Sequence, residues 1–272
     1  MRKNKQPPVR EIRSIVNDSG VAYTNRILVG TATTGLVRVE WVAARYSQII
    51  PMNWSQVQVN EFINASYPLR HQVDDAQNML VKQTLVGDFE WLFLLEHDVM
   101  LPDSALLILN QYLMNGDVPI VSGLYYSRSR PSEPLVFRGR GNGVYRDWEE
   151  SPGKAKKGQE IVYADGVPTG CLLIHHSILK VMWNESPEYF VRNANGQHIT
   201  RRVFETPRKS FYDESGQHNT ISGTSDLYWC DRIMRENVIE RAGWKVPDPK
   251  NPFMLDTNLF CKHINMNGEQ FP

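Results

Sequence analysis

Trp91-Leu92-Phe93-Leu94-Leu95-Glu96-His97-Asp98 runs five apolar residues straight into two acids one residue apart, and Val99-Met100-Leu101-Pro102-Asp103-Ser104 follows. An uninterrupted apolar run of this length predicts a strand buried on both faces, inside a sheet that helices cover above and below. Pro102-Asp103-Ser104 then opens a helix, with Leu106, Leu109 and Leu113 as its stripe and Asn115-Gly116 as its stop. The next strand is Pro119-Ile-Val-Ser-Gly-Leu-Tyr-Tyr126. On the amino-terminal side, Arg26-Ile-Leu-Val-Gly30 and Gln56–Phe62 read as strands. Val37, Trp41 and Ala44 mark one intervening helix, and Val73, Ala76 and Leu80 another. Strands alternating with helices predict an α/β fold with a mostly parallel central sheet and helices on both faces.

The second half changes character. Residues 128–158 are rich in Arg, Lys, Gly and Pro. Gly139-Arg140-Gly141-Asn142-Gly143 reads as a β-turn, because no strand precedes these glycines and no helix follows, as a dinucleotide motif requires. Lys154–Lys157 reads as a solvated loop. Cys171-Leu-Leu-Ile174 is a further buried strand, with a helix behind it at Ser177–Trp183. Residues 193–222 are polar and aperiodic, either a functional lid or a disordered insertion. From Ser225 onward Leu227, Cys230, Met234 and Val238 share a helical face, with Asp231 and Arg235 paired four apart. The chain closes on Leu259–Ile264. Residues 1–20, polar and carrying Pro7-Pro8, read as an N-terminal arm, and 21–272 as one domain with flexible loops at 127–165 and 193–222.

Composition narrows the function classes. With 272 residues and 41% hydrophobic content, the chain can build a core without disulfides, which excludes a stapled mini-protein or a disordered tail. Lys plus Arg equal Asp plus Glu at 30 each, so net charge gives a nucleic-acid partner no support. Trp91–Leu95, the longest strongly apolar stretch, is far short of the about 20 residues that cross a bilayer. The basic N-terminus has no apolar segment behind it, and Cys171, Cys230 and Cys261 lack zinc or redox spacing. The expectation is a cytoplasmic protein with reduced thiols.

Ligands of open parallel sheets collect beyond the carboxyl ends of strands, where Glu96 and Asp98 lie. Two carboxylates buried there are costly unless a cation or hydrogen-bond donors compensate them. Strand alternation sends Glu96 and Asp98 one way and His97 the other. That arrangement suits a divalent cation bridging the protein to phosphate oxygens. The competing structural reading has Asp98 capping a turn and Glu96 paired with a surface arginine.

Leu94–Pro102 resembles the acidic, metal-binding strand end of GT-A glycosyltransferases, family 2 and its relatives in particular. Three further segments are similar in the same order: Val167–Ser177, Ser225–Arg232 continuing through Ala242–Val246, and Cys261–Ile264. There are departures. Glu96 replaces the first aspartate, Ser225-Asp226 keeps only the second of two acids, and Gly30-Thr31-Ala32-Thr33-Thr34-Gly35 differs from the family's first strand end. No Gln-x-x-Arg-Trp occurs, so the likeness does not extend to processive polysaccharide synthases.

The resemblance implies a nucleotide-sugar-binding half at 21–126 and an acceptor half at 127–272 with a smaller β element. It implies a UDP- or GDP-sugar donor and an unidentified hydroxyl acceptor, whether glycan, small molecule or macromolecule. Asp98, Glu96 and His263 would hold the cation; oxygen ligands with one imidazole suit manganese or magnesium better than zinc. A strand-end His263 bonded to backbone is the alternative. Asp226 would be the general base of an inverting enzyme; otherwise Ser225 and Asp226 are an ordinary helix cap. Thr31, Thr33, Asn60, Gln77, Glu96 and Gly170 would contact the donor. His175-His176 stands where the family tends to have Arg, and the basic loop 201–209 is either a lid over the diphosphate or a solvated loop. Two other functions compete. A nucleotidyltransferase would want a basic Gly-rich loop after the first strand, yet no Lys or Arg follows Thr31 until Arg38. A non-catalytic glycan- or nucleotide-binding relative would tolerate loss of Asp98 and Asp226.

Overall fold

The computed structural model describes residues 27–33, 36–51, 72–139, 161–193 and 196–272, together with three short strands at 14–16, 22–24 and 62–64. The first elements are β1 (Ser14–Val16), β2 (Ala22–Thr24), β3 (Ile27–Thr31), α1 (Val39–Tyr46) and β4 (Phe62–Asn64). Next come α2 (Val73–Val86), β5 (Trp91–Leu95), β6 (Val99–Met100), α3 (Ala105–Asn115) and β7 (Ile120–Leu124). β8 (Ile161–Ala164), β9 (Cys171–His175), α4 (His176–Glu185), β10 (Glu188–Asn193) and β11 (Gly196–Arg201) follow. The chain ends with β12 (Arg208–Tyr212), β13 (His218–Ser222), α5 (Ser225–Arg235), α6 (Val238–Arg241), β14 (Phe253–Phe260), β15 (Lys262–Ile264) and β16 (Gln270–Phe271). Asn60, the strand residues 56–61, residues 140–143 of the glycine turn and Lys154–Lys157 lie outside the described residues.

Among the described residues the central sheet has seven strands in the order β4-β3-β5-β9-β7-β14-β8. β3 runs parallel to β4 and β5, and β14 parallel to β7. β9 lies antiparallel between β5 and β7, and β8 is antiparallel at the edge. The fold is mixed α/β: five of the seven strands run the same way, as expected of a mostly parallel sheet, and β9 and β8 are reversed. A strand buried on both faces is apolar at every position, so Cys171–Ile174 carries no mark of its direction. Strands from both sides of residue 127 contribute, so the two expected halves share one sheet.

Alternate side chains of each central strand fill two cores. Leu92 and Leu94 face Leu80 of α2, Leu179 and Met182 of α4, and Trp229 and Ile233 of α5. Trp91, Phe93 and Leu95 face Trp41 of α1 and Leu106, Leu109 and Leu113 of α3. Each such side chain contributes about 1.5–3 kcal/mol on burial, so the sheet is fixed from both sides. α3 follows the predicted stripe. Gly116 ends it in a left-handed conformation at φ 59°, donating its N–H to the Tyr112 carbonyl.

Among the described residues, 193–222 are not a structureless insertion: β10 pairs with β11, and β12 with β13, as two antiparallel hairpins. The first is pinned to α2. Tyr189 donates to Asp75 at 2.7 Å, Lys82 to the Ile199 carbonyl at 2.7 Å, and Thr200 to the Asn78 carbonyl at 2.9 Å. The basic run is partly structural as well: Arg201 donates to the Trp183 carbonyl, and the Arg202 guanidinium lies 4.4 Å from the Tyr189 ring centre. β12 and β13 are exposed along most of their length, so no apolar alternation announces them. β1, inside the expected N-terminal arm, pairs antiparallel with β2 just beyond the arm's expected end.

Candidate functional site

β5 delivers Glu96 to its carboxyl end, where the chain turns; Val99 N–H donates to the Glu96 carbonyl at 3.2 Å, and the Trp41 indole to the same oxygen at 2.9 Å. The chain re-enters as β6, which pairs antiparallel with β15 and sets His263 opposite Val99. Ile264 N–H donates to the Asp98 carbonyl at 2.8 Å, closing the join. His97 turns the other way, as alternation predicts, with Nδ1 3.2 Å from the Ala32 carbonyl. One ligand atom each from Glu96, Asp98 and His263 thereby fall within 4.8 Å of one another.

The His263 Nδ1 lies 2.6 Å from the Tyr126 carbonyl. A carbonyl can only accept, so Nδ1 carries the proton and Nε2 keeps its lone pair. The strand-end alternative therefore holds for one nitrogen, and it prepares the other as a ligand. Burial pushes the ring down to about 4, the Asp98 charge opposing and Arg128 assisting, so His263 is neutral at pH 7.

Glu96 is pushed up to about 8, first by burial and then by the charges of Asp98 and Asp226. The Arg128 charge and a hydrogen bond from Thr169 pull the other way without winning. Asp98 is paired with Arg128, Nη1 to Oδ2 at 2.8 Å. Glu96 and Asp98 beside one guanidinium, with the Asp226 charge also acting on Glu96, make a place where a divalent cation relieves repulsion. The donor set, two carboxylates and a neutral imidazole, fits manganese or magnesium.

β9 begins opposite the end of β5, which brings Thr169 and Gly170 to the site. Glu96 N–H donates to the Gly170 carbonyl at 2.9 Å, and Gln77 Nε2 donates to Thr169 Oγ1 at 3.0 Å. Gln77 thus reaches Glu96 through Thr169. Thr31 and Thr33 are both buried beyond the last turn of β3 or at its end. Among the described residues, Thr31 Oγ1 and Gln77 Oε1 are buried without a hydrogen-bond partner.

Gly170 has a packing reason that differs from the expected approach to a donor sugar. Its N–H donates to Tyr125 Oη at 2.8 Å, and an added Cβ would lie 2.3 Å from that oxygen and 2.9 Å from Val99 Cγ2. Gly170→Ala is expected to destabilise the protein by about 1–3 kcal/mol through overpacking, read as a lower urea midpoint with an unchanged slope.

Asp226 stands in the first turn of α5, but Thr224 occupies the cap position and makes no side-chain cap bond. The Asp226 carboxylate accepts only the adjacent Leu227 N–H, at 2.9 Å, among the bonds of the described residues. Asp226 thus lies past the cap residue, inside the first turn, and still satisfies one first-turn N–H, so the helix-start alternative holds in part. His175 and His176 lie at the far end of β9, where His175 pairs with Trp91 in register. His175 is pushed down to about 3 by burial, accepts the Ser177 N–H and sits edge-on to Trp91 and Trp244, a structural role.

Sequence reasoning missed Tyr125, Tyr126, Thr169 and Arg128. Thr169 lies inside the segment 167–177, so its hydroxyl next to Gly170 was visible. Arg128 had no signal, because it acts from a loop of no recognisable pattern.

No family model matches the chain, and no curated protein matches it. Among solved structures it is similar to A197 from STIV, at 12% identity and a TM-score of 0.50, over 90% of this chain and 93% of that one. At that identity the likeness speaks to the fold alone. Fold and site define a mixed α/β protein with a histidine-completed acidic cluster at a sheet's carboxyl edge. No helix among the described residues is long and apolar enough to cross a membrane.

Proposed function

We propose that this chain is a metal-dependent glycosyltransferase of the GT-A type, moving a sugar from a nucleotide-diphospho-sugar to a hydroxyl acceptor. The observation that carries the reading is the convergence of Glu96, Asp98 and His263, drawn from distant segments, within electrostatic reach of Asp226. Asp98, Glu96 and His263 would hold manganese or magnesium, which supplies charge stabilisation for the departing diphosphate.

The remaining parts belong to the chain's own side chains. The Asp226 carboxylate takes the proton of the acceptor hydroxyl as its oxygen attacks the anomeric carbon, with inversion. Thr169 holds Glu96 in place, and Gln77 holds Thr169. The unpartnered oxygens of Thr31 and Gln77 suit the hydroxyls and amides of a nucleoside, with Thr33 just beyond the same strand end.

The test is nucleotide release from a panel of UDP-, GDP- and other nucleotide-sugars, with manganese and with chelator, water serving as acceptor. Release from one donor that chelation abolishes supports the proposal. No release, combined with no shift in melting temperature by any nucleotide-sugar in the presence of manganese, overturns it and favours a non-catalytic binding protein.

Asp226→Asn is expected to lower that turnover about 10²-fold or more while manganese binding persists. Because the Asp226 charge works against Glu96, the variant should melt no lower than wild type. Full turnover in Asp226→Asn would remove the base from the mechanism.

A further inference from the structure

We infer that Arg128 is a two-position side chain: it occupies Asp98 while the centre lacks a cation, and it turns to the diphosphate once a cation is bound. The inference rests on the reading of Glu96, Asp98 and His263 as a metal centre. It concerns a residue that neither the sequence nor any similarity assigns.

The loop that carries Arg128 is fixed on both sides. Tyr126 N–H donates to the Pro272 carbonyl at 2.9 Å, and Ser127 N–H to the Glu133 carbonyl at 2.8 Å. Ser127 Oγ accepts the Glu133 N–H at 3.1 Å, Ser129 donates to the Pro131 carbonyl at 2.8 Å, and Arg130 pairs with Glu269. The Arg128 side chain is different. It is 46% exposed, against 15% for Asp98, and that carboxylate is its ion-pair partner among the described residues. The backbone holds the base of the side chain still, and water surrounds much of the rest.

A guanidinium and a divalent cation cannot both sit on Asp98 at full strength, because the second charge repels the first across one carboxylate. Arg128 is therefore a built-in competitor for the metal. When the cation arrives, Arg128 is released a short reach from it. Phosphate oxygens bound to that cation would lie there, and a guanidinium engages them through paired N–H donors. The same side chain then opposes metal binding without an anion and favours anion binding with metal. By linkage, cation and diphosphate bind cooperatively through it.

The opposite signs make the test. Manganese binding without any anion is read from loss of the free-ion EPR signal. Pyrophosphate binding is read by calorimetry with protein and titrant both at saturating magnesium. Arg128→Gln is expected to bind manganese about fivefold more tightly than wild type, and magnesium-pyrophosphate about tenfold more weakly. Arg128→Lys keeps a charge but loses the fork, so it should compete with manganese yet recover only part of the pyrophosphate affinity. Weakening of both ligands, or of pyrophosphate alone, would overturn the switch and leave a structural or simple anion-binding arginine. Tighter manganese with unchanged pyrophosphate would overturn it too, leaving a plain counter-ion. Asp98→Ala that binds manganese as wild type does would instead sink the metal centre itself, and the inference with it.

Discussion

Replacing Asp98 by alanine is expected to lower metal-dependent nucleotide release by about 10³-fold or more, with the melting temperature unchanged or raised. Glu96, pushed up to about 8, holds its proton at neutral pH, and His263 is uncharged. Asp98 is thus the acid of the cluster that meets an incoming cation as an anion, and its loss leaves two nearly neutral ligands. The fold has little need of this carboxylate. The join between β6 and β15 uses the Asp98 carbonyl, which alanine keeps. The lost pair with half-exposed Arg128 is worth up to about 1 kcal/mol, and relief of repulsion on Glu96 offsets it. Activity and stability should therefore separate, with melting curves and the manganese titration run on the same preparation. Wild-type turnover in Asp98→Ala would remove the metal from the mechanism. A large fall in melting temperature would mean that the pair with Arg128 is structural.

How far the sequence could be read follows from what each residue answers to. Trp91–Leu95 and the helix over Leu106, Leu109 and Leu113 were legible because burial on a given face dictates side-chain type, and Gly116 was legible because a left-handed stop favours glycine. The direction of β9 was not, since apolar side chains on both faces look the same either way. The hairpin β12–β13 escaped because strands facing solvent on both sides lack the alternation that marks a sheet face, and β10–β11 because its packed face carries mostly polar residues such as Tyr189 and Thr200 beside Val191. At the site, Glu96 and Asp98 were legible as acids following a buried strand. His263 was legible only by resemblance, because register between β6 and β15, not spacing, brings it near. Arg128 belongs to neither pattern: its place is set by loop hydrogen bonds that leave no periodic trace.

Glu96→Gln is expected to stabilise the metal-free protein at alkaline pH while weakening the centre it belongs to. In the folded chain the Glu96 carboxyl titrates near 8, against 4.5 for an ordinary glutamate. Between those values the native state keeps a proton that the unfolded chain has released. The unfolding free energy of wild type therefore falls as pH rises through this window, and levels off above about 8. Glutamine has nearly the same shape and no charge to bury, so its curve lacks that decline. Allowing for the water that reaches the site, the two proteins should agree near pH 4.5 and differ by about 2–4 kcal/mol at pH 9. On the acid side His263 and His175, pushed down to about 4 and 3, withhold protons that the unfolded chain takes up below 6.5. Both proteins lose that stability as pH falls, so it cancels from the difference. Urea unfolding at several pH values, without metal and then with saturating manganese, checks the argument. A bound cation should close most of that gap, since wild type gains about 2.7 kcal/mol at a hundredfold excess over its dissociation constant and the variant much less. Parallel pH curves for the two proteins would mean that Glu96 is not held at this cost, and that the negative charge gathered at the end of β5 is already neutralised without a metal.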